Sequence, residues 1–295
     1  LRVKSAIDTV TLRPMPDASG RILALLTGEV LVVVGVPADL VPALKNKPGV
    51  KLEQVKGGGL TIYLGLKNDQ KPLNDARVRK ALSLALNRDA YTSTLLHGFG
   101  TPTGTMARPA DFGYLNVPAP KQDIAQAKAL LKEAGYPDGF TLKFQAPRRY
   151  IASAEVAQAI VQDLAAIGVK AQLEVPEWSV YTQQVASGKQ AEMYMLAWGS
   201  TQTLDADAAL YPILHSGEPY STVSNPALDT LLNESRSTVD AAKREAILKN
   251  IQQVVEKEQP LIPLYQEDAL YAHGDNVTFT GRADARIPLF DLRVK

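Results

Sequence analysis

The chain has 295 residues, 45% of them hydrophobic, which is enough to bury one large core or two ordinary ones. Its 32 Lys and Arg stand against 31 Asp and Glu, a formal charge of +1, so no overall field draws it toward nucleic acid or an anionic membrane. Cysteine is absent, which excludes disulfides, thiolate metal sites and cysteine nucleophiles, and no apolar window approaches the roughly 18 residues of a membrane span.

Alternating apolar residues at Val10 and Leu12, Val30 to Val34, and Leu60, Ile62 and Leu64 predict strands, with a helix from about Ser19 to Leu26. Gly57-Gly58-Gly59 reads as a flexible turn, because no helix start with Lys and Ser or Thr follows to make a phosphate loop. The polar turn "NDQKPLN" (68–74) marks an expected domain crossing. Beyond it Val78, Ala81, Leu82, Ala85 and Leu86 share one helix face, with Asn74 or Asp75 as cap. Residues 98–120 carry so many Gly and Pro that they read as loop.

A regular α/β alternation follows. Asp123 caps a helix with Ile124, Ala127, Leu130 and Leu131 as its buried stripe, and Gly135 stops it. Phe140, Leu142 and Phe144 alternate as a strand, Ser153 to Ile167 is helical, and Val169 to Val175 is the next strand. A short helix runs from Trp178 to Gly188, and residues 191–198 are again strand. Helices are expected over Asp205–Leu214, Asn225–Arg236 and Asp240–Glu258, then a strand from Leu261 to Tyr265 and an irregular tail. This order predicts an α/β domain with helices on the faces of a sheet.

Little in this pattern suggests catalysis. His97, His215 and His273 are far apart and have no paired or H-E-x-x-H spacing. Asp205 and Asp207, two apart at a helix start, do not by themselves make opposed carboxylates around a scissile bond. The most informative stretch is "LAWGSTQTLDAD" (196–207), where a buried strand ends in an indole, hydroxyls, an amide and two carboxylates.

Several phrases occur in the order found in one family: "GEVLVV" (28–33), "NDARVRKALSLALNRDAY" (74–91), "AKALLKEAGYPDGFTLKF" (127–144), "LAAIGVKAQLEVPEWSVYTQQVASG" (164–188), "MLAW" (195–198) and "PLIPLYQ" (260–266). On these the chain resembles the peptide-type solute-binding proteins of ABC importers, which include dipeptide-, oligopeptide-, nickel- and glutathione-binding members. The resemblance implies a two-lobed periplasmic-binding-protein-like α/β fold (type II, cluster C). It assigns residues 1–68 and 266–295 to the lobe bearing the termini and 69–265 to the other. Full members carry a longer N-terminal segment than the part matched here, so the first lobe is expected to be incomplete.

The resemblance further implies a non-enzymatic, monomeric receptor in the bacterial periplasm. It would bind a short peptide or peptide-like solute without a metal or cofactor and deliver it to permease subunits by closing its lobes. It would meet the membrane only through the permease or an anchor outside these residues. A second reading is the ligand-sensing domain of a cytoplasmic transcriptional regulator of the same fold.

The family places tryptophans lining the cleft at the positions of Trp178 and Trp198, the two tryptophans of this chain, where flat apolar faces can hold varied side chains. Many members have an Asp three residues after the second Trp, pairing with the ligand's α-ammonium. Here counting from Trp198 gives Thr201, and counting back from Asp205 gives Gln202. Asp207 reads as a helix cap, and Asp205 stays open between cap and ligand contact. In "PRRYI" (147–151), Arg148 and Tyr150 match the Arg-x-Tyr whose guanidinium holds a ligand carboxylate in dipeptide-binding members, although solvated loop arginines remain the alternative.

Overall fold

A computed structural model describes residues 7–200 and 202–295. The first third of the chain holds α1 (Ala18–Leu26), β1 (Val32–Val34), α2 (Val41–Leu44), β2 (Val50–Val55), β3 (Thr61–Leu66), α3 (Ala76–Ala85), α4 (Arg88–Ala90) and β4 (Gly100–Pro102). Then come α5 (Ile124–Glu133), β5 (Thr141–Gln145), α6 (Ser153–Ala165), β6 (Lys170–Glu174), α7 (Trp178–Ala186) and β7 (Met193–Trp198). The last third holds α8 (Ala206–Leu214), α9 (Pro226–Ser237), α10 (Ala241–Glu258), β8 (Leu261–Glu267), β9 (Ala269–Gly274), β10 (Val277–Thr278) and β11 (Arg293–Val294).

The strands form a six-stranded sheet in the order β4-β8-β3-β7-β5-β6, a three-stranded sheet in the order β1-β9-β2, and the small pair β10-β11. In the large sheet β5 is parallel to β6 and β7, whereas β3 is antiparallel to both β7 and β8. Strands β5, β6, β7 and β8 therefore all point the same way and end at one edge. Helices cover both faces. Ile62, Leu64, Phe144, Met193 and Met195 pack on one side with α3, α5 and α6, while Tyr63, Tyr194 and Leu196 pack on the other with α7 to α10. All six residues of β3 are buried, as expected of a strand covered on both faces.

The phrases that carry the family resemblance are mostly structural. Arg79 and Arg88 of "RVRKALSLALNRDAY" are 8% and 2% exposed. The Arg79 guanidinium donates to the carbonyls of Glu258 (2.7 Å) and Gln259 (2.9 Å), placing positive charge on the carbonyl end of α10. Arg88 donates to the carbonyls of Pro263 (2.9 Å) and Ser83 (2.8 Å), tying α3 to β8. In the "EAGYPDGF" turn, Gly139 has φ +76°, and a Cβ there would lie 2.0 Å from the Gly168 carbonyl oxygen, so close backbone approach requires glycine.

Four expectations need correction. The alternation at Val10 and Leu12 forms no strand. The loop 98–120 contains β4, which pairs with β8 and places Pro102 at a sheet edge. The tail expected to be irregular contains β9, the central strand of the smaller sheet. Lastly, the turn 68–74 is not a passage between sheets: Asn68 donates to the Pro260 carbonyl (2.8 Å), and Lys67 donates to that of Glu192 (2.9 Å). The chain passes between sheets at residues 56–60 and again at Asp268, so β3 belongs to the large sheet although it lies within residues 1–68.

Candidate ligand-binding site

The edge where β5 to β8 end is the place where a mostly parallel sheet offers open strand termini and loops to a ligand. The chain's two passages to the smaller sheet start from the same edge, since Thr61 of β3 pairs with both Trp198 and Gln266.

The loop after β5 arches across this edge. Tyr150 accepts a hydrogen bond from the Ala197 amide on its hydroxyl (3.1 Å), and the next amide, Ile151, donates to Glu267 Oε1 (3.2 Å). The loop thus reaches from β5 past the end of β7 to the end of β8. Its return is set by Ala152 in the left-handed region at φ 49° and by Ser153, whose hydroxyl donates to the Pro147 carbonyl (3.0 Å). Burial pushes the Tyr150 phenol up to about 12, so it stays protonated at physiological pH.

Trp178 opens α7 and meets Tyr150 edge-on at 6.1 Å between ring centroids, with the Arg149 guanidinium 5.3 Å from its ring centre. Trp198 ends β7, donates from its indole N–H to the Ala208 carbonyl (2.9 Å) and packs against Tyr220 at 4.9 Å. Both indoles are partly exposed. Tyr150 joins them, touching the ring of one and the strand end that carries the other.

Arg148 is exposed and makes no hydrogen bond or ion pair with any described residue. Gln202 is exposed, and its carbonyl accepts from Arg286 (3.1 Å). Thr201 lies outside the described residues. Asp205 caps α8 by accepting from the Asp207 amide (3.0 Å) and forms a two-point ion pair with Arg244 at 2.6 and 2.9 Å. Asp207, read from sequence as the cap, instead pairs with Arg236 at 2.9 Å. The cap is therefore Asp205, whose role the sequence left open, and not Asp207, and both aspartates are matched by an arginine.

Sequence reasoning missed three contributors. Arg149, neighbour of the expected Arg148, is the arginine over Trp178. Arg108 is fully buried: it pairs with Asp111 (3.1 Å), reaches the Ser200 hydroxyl (3.2 Å), and donates to the carbonyls of Gly58 (3.2 Å) and Ala283 (2.9 Å). It thereby ties the turn after Trp198 to one passage between sheets and to the C-terminal tail. Glu267 directly follows "PLIPLYQ", and an acidic residue closing an apolar strand was the available signal. Burial pushes its carboxyl up to about 7.

A separate apolar trough of about 680 Å³, bordered by Val10, Leu12, Val30, Val32, Val34 and Leu292, lies beside β1 and includes none of the expected site residues. Among the described residues there is no cluster of three or more His, Cys, Asp or Glu able to hold a metal, and no helix is long and apolar enough to cross a membrane.

Residues 2–221 match the family model described as bacterial extracellular solute-binding proteins, family 5. The glutathione-binding protein GsiB of Salmonella typhimurium is 33% identical over 285 residues, a match covering 92% of this chain and 55% of that protein. GsiB of Escherichia coli K12 is 30% identical over 283 residues, with the same coverage. The chain spans about half the length of the curated relatives it matches. Among solved structures, DppA from Helicobacter pylori in complex with peptide STSA superimposes with a TM-score of 0.82 at 28% identity, covering 96% of this chain and 56% of that one. HbpA2 from Haemophilus parasuis gives 0.83 at 26% identity, covering 95% and 57%. The chain belongs to the family 5 solute-binding proteins, and its fold is that of the two-lobed binding proteins.

Proposed function

We propose that this family 5 member is the periplasmic receptor of an ABC importer. It takes up a short peptide or peptide-like solute between two lobes and presents it, chemically unchanged, to the membrane permease. The observation that carries this reading is the gathering of Tyr150, Trp178 and Trp198 at the one sheet edge from which both passages to the smaller sheet leave. The names of the relatives support it: they are glutathione-binding proteins, and one structural neighbour holds a peptide. The lobe boundary then falls at 56–60 and at 268, in place of 68 and 265.

In this mechanism the two indoles and Tyr150 supply apolar faces to a solute side chain. Arg148, exposed and unpaired, receives a carboxylate. Gln202, and Thr201 before it in sequence, are the polar contacts of this reading. A solute that touches both lobes stabilises the closed arrangement in proportion to its preference for that form. Asp205 has no place in this set, because its carboxylate is held by Arg244.

The test is tryptophan fluorescence and melting temperature of the full-length receptor across glutathione and a library of di- and tripeptides. At about 100 times its dissociation constant a true ligand adds about 2.7 kcal/mol of stability, and Trp178→Ala weakens that response. A full library that moves neither signal refutes the peptide reading, and a ligand recovered chemically altered refutes simple transport.

A further inference from the structure

The usual family route to a ligand's α-ammonium, a carboxylate shortly after the second Trp, is closed here. Asp205 is occupied by Arg244 and the first turn of α8, and Asp207 by Arg236. Of the carboxylates at the same edge, Asp268 is held by the Gly57 amide and Gln54 and Glu177 caps α7, whereas Glu267, the last residue of β8, has neither a cationic partner nor a capping role among the described residues. Its only hydrogen bond is the 3.2 Å contact from the Ile151 amide, leaving one oxygen and further acceptor capacity unused.

The position of Glu267 is fixed on both sides, because its amide donates to the Leu60 carbonyl (2.9 Å) and its own carbonyl accepts from Gly59 (2.9 Å). Near it stand Tyr150 and Tyr265, the latter with a buried hydroxyl that has no hydrogen-bond partner. Glu267 is half-buried and has no counter-charge among the described residues, a costly state for a carboxylate, and burial pushes its carboxyl up to about 7. An arriving cation would supply what the site lacks. Arg148 and Arg149 lie on the other side of Tyr150 in the same loop, so the edge offers a positive end and a negative end.

We infer that Glu267 receives the ammonium group of the bound solute, and that the site selects zwitterions whose carboxylate lies toward Arg148. The inference rests on the receptor reading above and adds the chemistry the ligand must carry. Glu267 takes the task that the loop after Trp198 has given up.

The experiment compares full-length wild type with Glu267→Gln by calorimetry, using probes in pairs that differ in an ammonium: trialanine and N-acetyl-trialanine, glutathione and its N-acetyl form, putrescine and 1,4-butanediol. Wild type should bind the ammonium-bearing member of a pair about tenfold or more tightly than the ammonium-free one. Glu267→Gln should lose that preference while its affinity for the ammonium-free member stays the same. Thermal unfolding verifies that the variant is folded. Preference retained in Glu267→Gln, ammonium-free members bound as tightly as ammonium-bearing ones by wild type, or no ammonium-bearing member bound at all, each overturns the inference. Response to the diamine pair without response to any peptide pair upholds Glu267 as the ammonium contact and rejects both the selection of zwitterions and the peptide reading.

Discussion

Replacing Glu267 by Gln should stabilise the fold at high pH, by an amount that depends on pH in a defined way. The carboxyl titrates at about 7 in the native state, against 4.5 for its ordinary value, because burial disfavours the charged form. The native state therefore holds its proton more tightly than the unfolded chain does. Its contribution to stability is fully present below about pH 4.5 and is lost as pH rises through about 7. At about 1.4 kcal/mol for each tenfold change in proton affinity, the wild type loses about 2 to 3 kcal/mol between pH 5 and pH 8 from this group alone. Gln has the shape of the protonated side chain and cannot ionise, so the variant avoids this loss. Urea unfolding of both proteins at pH 5 and pH 8, without solute, should show a gap between them that widens by about that amount at the higher pH. A gap unchanged to within about 0.5 kcal/mol would mean that the Glu267 carboxyl is not raised by its surroundings, and the argument for its need of a counter-charge would fail.

Asp205→Asn keeps a good helix cap and removes an ion pair that is partly exposed, so it should cost about 1 kcal/mol or less in urea unfolding and leave solute affinity within about twofold. A tenfold loss of affinity would return Asp205 to the ligand contacts. Arg108→Met leaves Asp111 buried without its partner and should destabilise by about 3 to 5 kcal/mol, with part of the loss recovered in the double variant Arg108→Met/Asp111→Asn. Full additivity of the two single changes would show that the pair does not act as a unit.

Much of the large sheet was legible because its helices carry explicit punctuation. Asp75, Asp123, Asn225 and Asp240 each cap the expected helix, and Gly135 and Gly168 take the positive φ that ends one. The smaller sheet was harder to read. β9 follows β8 after a single residue, and the polar break at Gln266 to Asp268 does not tell that the apolar runs on its two sides pair in different sheets. Trp178, Trp198 and Tyr150 were named from the resemblance, whereas the ion pairs that hold Asp205 and Asp207 depend on Arg244 and Arg236, some 30 to 40 residues away in sequence. Spacing alone cannot register such partners. Glu267 was overlooked for a related reason: its isolation from positive charge is a property of everything around it, which no short window contains.

The passages between the sheets run side by side in opposite directions and are laced together. Gly59 and Leu60 exchange backbone hydrogen bonds with Glu267 at 2.9 Å, while Asp268 accepts from the Gly57 amide (2.9 Å) and from Gln54 (2.6 Å). A Cβ on Gly59 would come within 2.7 Å of the Glu267 carbonyl oxygen, so the strands are as near as backbones allow. Two such straps behave as a narrow ribbon, which flexes across its thin dimension far more readily than it twists or shears. A bend across that thin dimension is the relative motion the two straps resist least, and Glu267 is a residue of one of them.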